Sequence, residues 1–264
     1  MRRWLSPLLA LSLFVPAGAA ERVVALTADV AEIAVALGRA SDVIGRDQMA
    51  RQPELSHAKV IGLSRALSVE PVARLQPTLV LGSAAAQPSS IWEQFRRVGI
   101  RAVQVSAHGD GRDYAEAIRT VGSLLGATPA ADRLAQQWQQ GMTPAAASGR
   151  RILISYEGRT VAGRDTPSDL LIRAAGAINV AAEVEGHKPL EPEAIARLAP
   201  DLILVAGHNR AVYGSLEQLR VRPDIAATPA GRRGRVYEWP VHELFNINLN
   251  SPAVVKRLRE LGAS

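Results

Sequence analysis

Cysteine is missing from all 264 residues, which excludes disulfides, thiolate zinc sites, iron–sulfur clusters and cysteine nucleophiles together. Aromatic side chains make up only 4% of the chain, too few to supply a base-stacking surface. The formal charge is +6, but the basic residues are scattered and form no dense run, so nucleic acid is not an expected partner. Catalytic signatures are missing as well. There is no Gly-x-Ser-x-Gly elbow, Walker loop, Gly-x-Gly-x-x-Gly turn, His-Glu-x-x-His helix or deaminase zinc pattern. The five histidines (His57, His108, His187, His208 and His242) include no two at metal-ligand spacing on one element, although a three-histidine site assembled through space stays open. The Gly-rich stretch Ala107-His-Gly-Asp-Gly-Arg112 lacks the spacing of a phosphate loop and reads as a turn. No catalytic residue is assigned, and a secreted hydrolase stands only as the alternative from another class.

What is present begins with a targeting signal. Residues 1–20 open with Arg2 and Arg3, run through an uncharged apolar stretch from Trp4 to Val15, and end on Pro16-Ala-Gly-Ala-Ala20. A basic start, a short apolar run and a small-residue site make a secretory signal peptide. The run is too short to span ~30 Å of hydrocarbon, and no later stretch approaches ~18 uninterrupted apolar residues. Cleavage would remove two arginines and leave a formal charge of +4. The mature chain is expected in the periplasm, where the absence of stray thiols suits an oxidising compartment.

A repeat organises the rest. Leu67-Ser-Val-Glu70-Pro-Val-Ala73-Arg74-Leu75-Gln-Pro77-Thr-Leu79-Val-Leu81 aligns without a gap on Leu190-Glu-Pro-Glu193-Ala-Ile-Ala196-Arg197-Leu198-Ala-Pro200-Asp-Leu202-Ile-Leu204. Each copy is a short amphipathic helix, a proline that ends it, and an apolar run suited to a strand buried on both faces. Around the repeats, strand and helix patterns alternate, as in parallel or mixed sheets covered by helices. The expected fold is α/β, with two similar lobes of parallel or mixed sheet joined by a single long helix and a ligand cleft between them. The expected division is 1–20 signal peptide, 21–126 N-terminal lobe, 127–149 connecting helix and 150–264 C-terminal lobe. Leu134, Trp138 and Met142 mark one face of that connector, which is expected to continue to about Ala147.

The residues then resemble a known family. Val60-Ile-Gly62-Leu63-Ser64-Arg65-Ala-Leu67-Ser68-Val-Glu70 resembles the Gly-Tyr-x-Arg-x-Leu-(Ser/Asn)-x-Glu motif of the hemin-binding proteins of bacterial ABC importers. Ala162-Gly163-Arg-Asp-Thr166-Pro-Ser-Asp169-Leu-Leu-Ile172-Arg-Ala174-Ala-Gly176-Ala-Ile-Asn179 is similar to that family's second-lobe signature, and Gly186-His187-Lys188-Pro189-Leu190 followed by Glu193 extends the match. The wider helix-linked class also includes vitamin-B12 and ferric-siderophore receptors, so a corrinoid or ferric siderophore is the alternative cargo.

The resemblance implies a protein that binds hemin as transported ligand, with no catalytic cofactor. It also implies an ABC permease dimer as partner, reached through Glu70 and Glu193, one carboxylate per lobe, by a monomeric receptor. The family's iron-ligating tyrosine corresponds to Leu63, which has no donor atom. Arg65 is retained as a partner for a propionate, and Arg164 is a second candidate for a carboxylate. His187, His242 or Tyr156 is expected to replace the missing iron ligand. Trp239 and Phe245 are candidates to stack on the macrocycle.

Overall fold

The computed structural model describes residues 21–263, so the signal-peptide expectation falls outside the described residues. Among the described residues no helix is long and apolar enough to cross a membrane.

The first half forms a five-stranded sheet from β1 (Val23–Ala25), β2 (Val43–Arg46), β3 (Lys59–Val60), β4 (Leu79–Gly82) and β5 (Ala102–Gln104). Its order is β3-β2-β1-β4-β5 and every pairing is parallel. The central strands β1 and β4 are buried throughout, which is why they read as unbroken apolar runs rather than alternating ones. The second half uses β6 (Arg151–Ser155), β7 (Thr160–Ala162), β8 (Ile178–Asn179), β9 (His187–Pro189), β10 (Leu202–Ala206) and β11 (Val236–Trp239). Here β11-β10-β6 is parallel, while β7 and β9 continue the sheet in antiparallel fashion and β8 pairs with the start of β6.

Between the sheets lies the helix Thr128–Met142, which buries Ala131, Ala135, Trp138 and Met142 on one face. It stops five residues short of the expected Ala147. Pro144 disfavours helical geometry at the residue before it, and Thr143 turns to φ −56°, ψ 126°. One apolar cluster runs from Val23 and Leu81 through Trp138 and Met142 to Ile154, Leu171 and Val255, so the two sheets share a core through the connector.

The end of the chain ties the lobes together a second time. The Trp138 indole donates to the Asn248 carbonyl at 2.9 Å, and the Leu249 amide donates to Glu32 Oε1 at 2.7 Å. The Tyr114 hydroxyl donates to the same oxygen at 2.6 Å. Burial pushes the Glu32 carboxyl up, and these two hydrogen bonds oppose that shift.

The sequence repeat is also a structural one. After helices Val69–Ala73 and Pro192–Leu198 the chain passes through a residue in left-handed conformation, Gln76 (φ 48°) and Ala199 (φ 43°), just before the two prolines. In each lobe an arginine opening the neighbouring strand caps the last carbonyls. Arg22 donates to Leu75 and Gln76 at 2.6 and 3.1 Å, and Arg151 to Leu198 and Ala199 at 2.8 and 3.2 Å. The backbone amides of the same arginines donate to Thr78 Oγ1 and Asp201 Oδ2, which occupy one position of the repeat. Each lobe therefore ties its short helix to the sheet through equivalent contacts, with Glu70 and Glu193 both exposed in the first turn.

Candidate functional site

In a parallel sheet the loops after the strands' carboxyl ends form the ligand side. In the first lobe the loop after β3 carries Gly62, Leu63, Ser64 and Arg65. Gly62 sits at φ 115°, a backbone region that L side chains rarely enter, and this turn leads into half-buried Leu63. Asp47, wholly buried, accepts from the Ser64 amide at 2.5 Å and from the Met49 amide at 2.6 Å, so the loops after β2 and β3 are fixed to each other. Arg65 is exposed and has no ion pair or hydrogen bond among the described residues. A free guanidinium suits a ligand that carries a carboxylate.

The second lobe answers with an aromatic cluster. Tyr156, at the end of β6, stacks on buried Phe245 with ring centres 3.9 Å apart and planes within 8°. His187, at the start of β9, lies 5.4 Å from Tyr156 and 5.6 Å from Phe245, and His208, just past β10, meets Tyr156 edge-on at 6.2 Å. Burial pushes the Tyr156 phenol up, with Glu157 adding to the shift, so it stays protonated near neutral pH and is a poor source of phenolate. Burial pushes the His187 imidazole down, so it stays neutral with a lone pair free.

The remaining expected site residues are placed elsewhere. His242 is exposed on the short helix Val241–Leu244, outside the cluster, and its carbonyl accepts from Asn248 Nδ2 at 3.1 Å. Trp239 lies in the core, with the Arg257 guanidinium 3.9 Å above its ring, so its faces are taken by the protein itself. Arg164 is held within its own lobe by Glu185 at 2.9 Å and the Glu183 carbonyl at 3.2 Å. It lines an interlobe cavity of about 540 Å³ together with Arg112, Asp110, Asp165, Asp169 and Arg173. In that cavity Arg112 faces Asp110 at 3.0 Å and Arg173 faces Asp169 at 2.9 Å, so its charges are largely neutralised internally.

His208 was not singled out from the sequence, because a lone histidine in a short turn carries no spacing signal. Its segment is anchored by a carboxylate. Arg210 grips Glu238 through two nitrogens at 2.7 and 2.8 Å, and the Tyr213 hydroxyl donates to Glu238 at 2.6 Å. Asn209 donates to the Tyr156 carbonyl at 3.2 Å. The Arg210 hydrogen bonds, joined by that of Tyr213, hold the Glu238 carboxyl below its usual range against the opposing effect of burial.

A family model described as a periplasmic binding protein matches residues 23–242. The chain belongs to that family. The periplasmic heme-binding protein RhuT of Roseiflexus sp. RS-1, in its apo form, is similar to this binding protein at 32% identity and TM-score 0.80, over 92% of this chain and 98% of that one. BhuT, a periplasmic heme-binding protein in complex with two hemes, shares 29% identity and TM-score 0.82 over 92% and 98%. HutB of Vibrio cholerae, also a periplasmic heme-binding protein, shares 26% and TM-score 0.79 over 92% and 99%. A comparison with curated proteins found no match.

In this binding protein the second-lobe signature forms a scaffold beneath the site. Thr166 Oγ1 donates to the Gly163 carbonyl at 2.7 Å and accepts from the Asp169 amide at 3.2 Å, starting the helix Pro167–Ala174. Buried Asn179 donates to the Ala162 carbonyl at 3.1 Å and to Asp169 at 3.0 Å, and accepts from the Ala181 amide at 3.0 Å. Gly163 has no room for a Cβ, which would collide with the Val184 carbonyl. This network joins β7 to the segment that delivers His187. Asn179→Ala is therefore expected to destabilise the fold by about 2–4 kcal/mol, because it strands several buried polar groups. Thermal unfolding should show a melting point lower by about 5–10 °C, for a chain of this size.

Proposed function

We propose that this periplasmic binding protein holds hemin between its lobes and delivers it to the permease of an ABC importer. The observation that carries the reading is the stacked Tyr156–Phe245 pair flanked by His187, set on one lobe, with unpaired Arg65 on the other. An apolar macrocycle with two carboxylates and an iron centre matches that set: aromatic surface for the ring, guanidinium for a propionate, neutral imidazole for the metal. The heme-binding character of RhuT, BhuT and HutB supports the same cargo. Of the three replacement ligands expected, His187 is favoured, since the Tyr156 phenol stays protonated and His242 lies apart from the cluster. No bond in the cargo is made or broken.

Glu70 and Glu193 dock the permease in this reading. Both are exposed, both stand in the first turn of equivalent helices, and two like charges on two lobes address two equivalent permease subunits. The protein reaches the periplasm through its signal peptide and works there as a monomer.

A competition experiment tests the cargo. Mature protein is offered equimolar hemin, cyanocobalamin and a ferric hydroxamate, then freed of unbound ligand by gel filtration. Hemin absorption is expected to travel with the protein at one or two equivalents. Cobalamin or hydroxamate absorption travelling instead would overturn the hemin assignment and leave an import role standing. No coloured ligand travelling with the protein would overturn both.

A further inference from the structure

The loop between β5 and the helix Tyr114–Leu124, a plain turn by its sequence, is organised around one carboxylate. Asp113 accepts from the Ser106 hydroxyl at 2.8 Å, from the Ala107 and His108 amides at 2.8 and 3.3 Å, and meets His108 Nδ1 at 3.0 Å. Burial alone would push the Asp113 carboxyl up. The hydrogen bonds from His108, Ala107 and Ser106 together outweigh that effect and hold it below its usual range.

Asp113 already accepts from a hydroxyl and two amides and meets the imidazole as an acceptor too, so Nδ1 carries the hydrogen and Nε2 keeps its lone pair. That tautomer, with Nδ1 tied to a carboxylate, is the arrangement that orients metal-bound imidazoles and raises their basicity. The His108 side chain is 47% exposed, and its Nε2 has no hydrogen-bond partner among the described residues.

The position of the loop gives this pair its meaning. Two residues after His108, Asp110 and then Arg112 line the interlobe cavity, and Arg112 reaches across to Asp165 of the second lobe at 3.6 Å. On the opposite wall Arg164, next to Asp165, is paired with Glu185, which stands two residues before His187. His108 and His187 therefore stand within a few residues in sequence of the groups that line or pair across this cavity, each on its own lobe.

We propose that His108 is the iron ligand contributed by the N-terminal lobe, in place of the donor that Leu63 cannot supply, with Asp113 as the residue that positions its ring. This rests on the hemin reading above. Asp113 on its own would suffice to shape the loop; the exposed, unpartnered Nε2 is what a loop-shaping role leaves unexplained.

The test uses mature protein loaded with hemin and reads the ferric spin state by absorption and electron paramagnetic resonance. Wild type is expected to be six-coordinate and low-spin. His108→Ala should shift the iron to high spin and weaken hemin binding at least about tenfold, and added imidazole should restore the low-spin spectrum. His108→Gln, which keeps a hydrogen bond to Asp113, separates ligation from loop shape: it should lose the low-spin signature while melting at the wild-type temperature. A wild type that binds hemin, with an unchanged spin state in both variants, overturns the proposal and leaves the hemin reading intact. A wild type that binds no hemin removes the reading on which the proposal rests.

Discussion

Reversing the charge of Glu70 and Glu193 together (Glu70→Arg with Glu193→Arg) is expected to abolish hemin import by the reconstituted permease, while hemin binding by the purified protein stays unchanged. Each carboxylate is exposed in the first turn of a short helix, and among the described residues neither makes a contact in the aromatic cluster. Arg22 and Arg151 fix the two helices to their sheets in the same way, so the two charges are presented with equivalent geometry. Losing a docked charge pair on each lobe, and adding repulsion, should weaken the complex with the permease by about a hundredfold or more. Either single reversal should give a partial loss. If these carboxylates only complement their helix dipoles, the double variant would melt slightly earlier and import at the wild-type rate, and docking through them would be wrong.

The second large effect concerns His187. His187→Ala removes a neutral imidazole from the second-lobe wall, and hemin affinity is expected to fall by about tenfold to a hundredfold, measured by titration of the Soret band. The pH profile gives an independent check. Burial holds the His187 pKa below the ordinary 6.5, so the ring stays neutral between its lowered value and 6.5, where an unperturbed histidine is already taking up a proton. Hemin affinity should therefore persist as pH falls through 6.5 and drop only below the lowered value. Stability carries the matching sign. In that window the unfolded chain binds more protons than the folded one, so unfolding free energy of the ligand-free protein should rise with pH across it. Replacement of His187 by glutamine should flatten that rise; an identical pH profile in the variant would remove His187 from the account.

The fold was legible wherever elements were long enough to show a period or were fully buried. The two apolar runs of the repeat, Leu79-Val-Leu81 and Leu202-Ile-Leu204, fall inside the buried strands β4 and β10. The repeat pointed correctly to a helix, a proline stop and a buried strand in each lobe. Short edge elements were invisible: β3, β7, β8 and β9 have two or three residues each, too few for any alternation to register.

The site was legible only in part, for a related reason. Tyr156 and His187 were singled out separately, and only pairing of β6, β7 and β9 brings their rings together. The second-lobe signature around Gly163, Thr166, Asp169 and Asn179 resembles a binding motif in sequence, yet its side chains hydrogen-bond one another and the backbone. Trp239 and Arg164 were sensible candidates by residue type, but Arg257 and Glu185 occupy them. The Asp113–His108 pair lies five residues apart in a loop, where neither helical nor strand spacing signals a contact.

Docking and iron ligation both presuppose that the cleft takes hemin. Titrating mature protein with hemin, and following Soret absorbance and tryptophan fluorescence together, tests this most directly. A sharp break at one or two equivalents is expected in both signals, with a Soret band distinct from that of free hemin. A linear, unsaturable Soret increase identical to hemin in buffer, with no quenching of tryptophan beyond inner-filter loss, would contradict it.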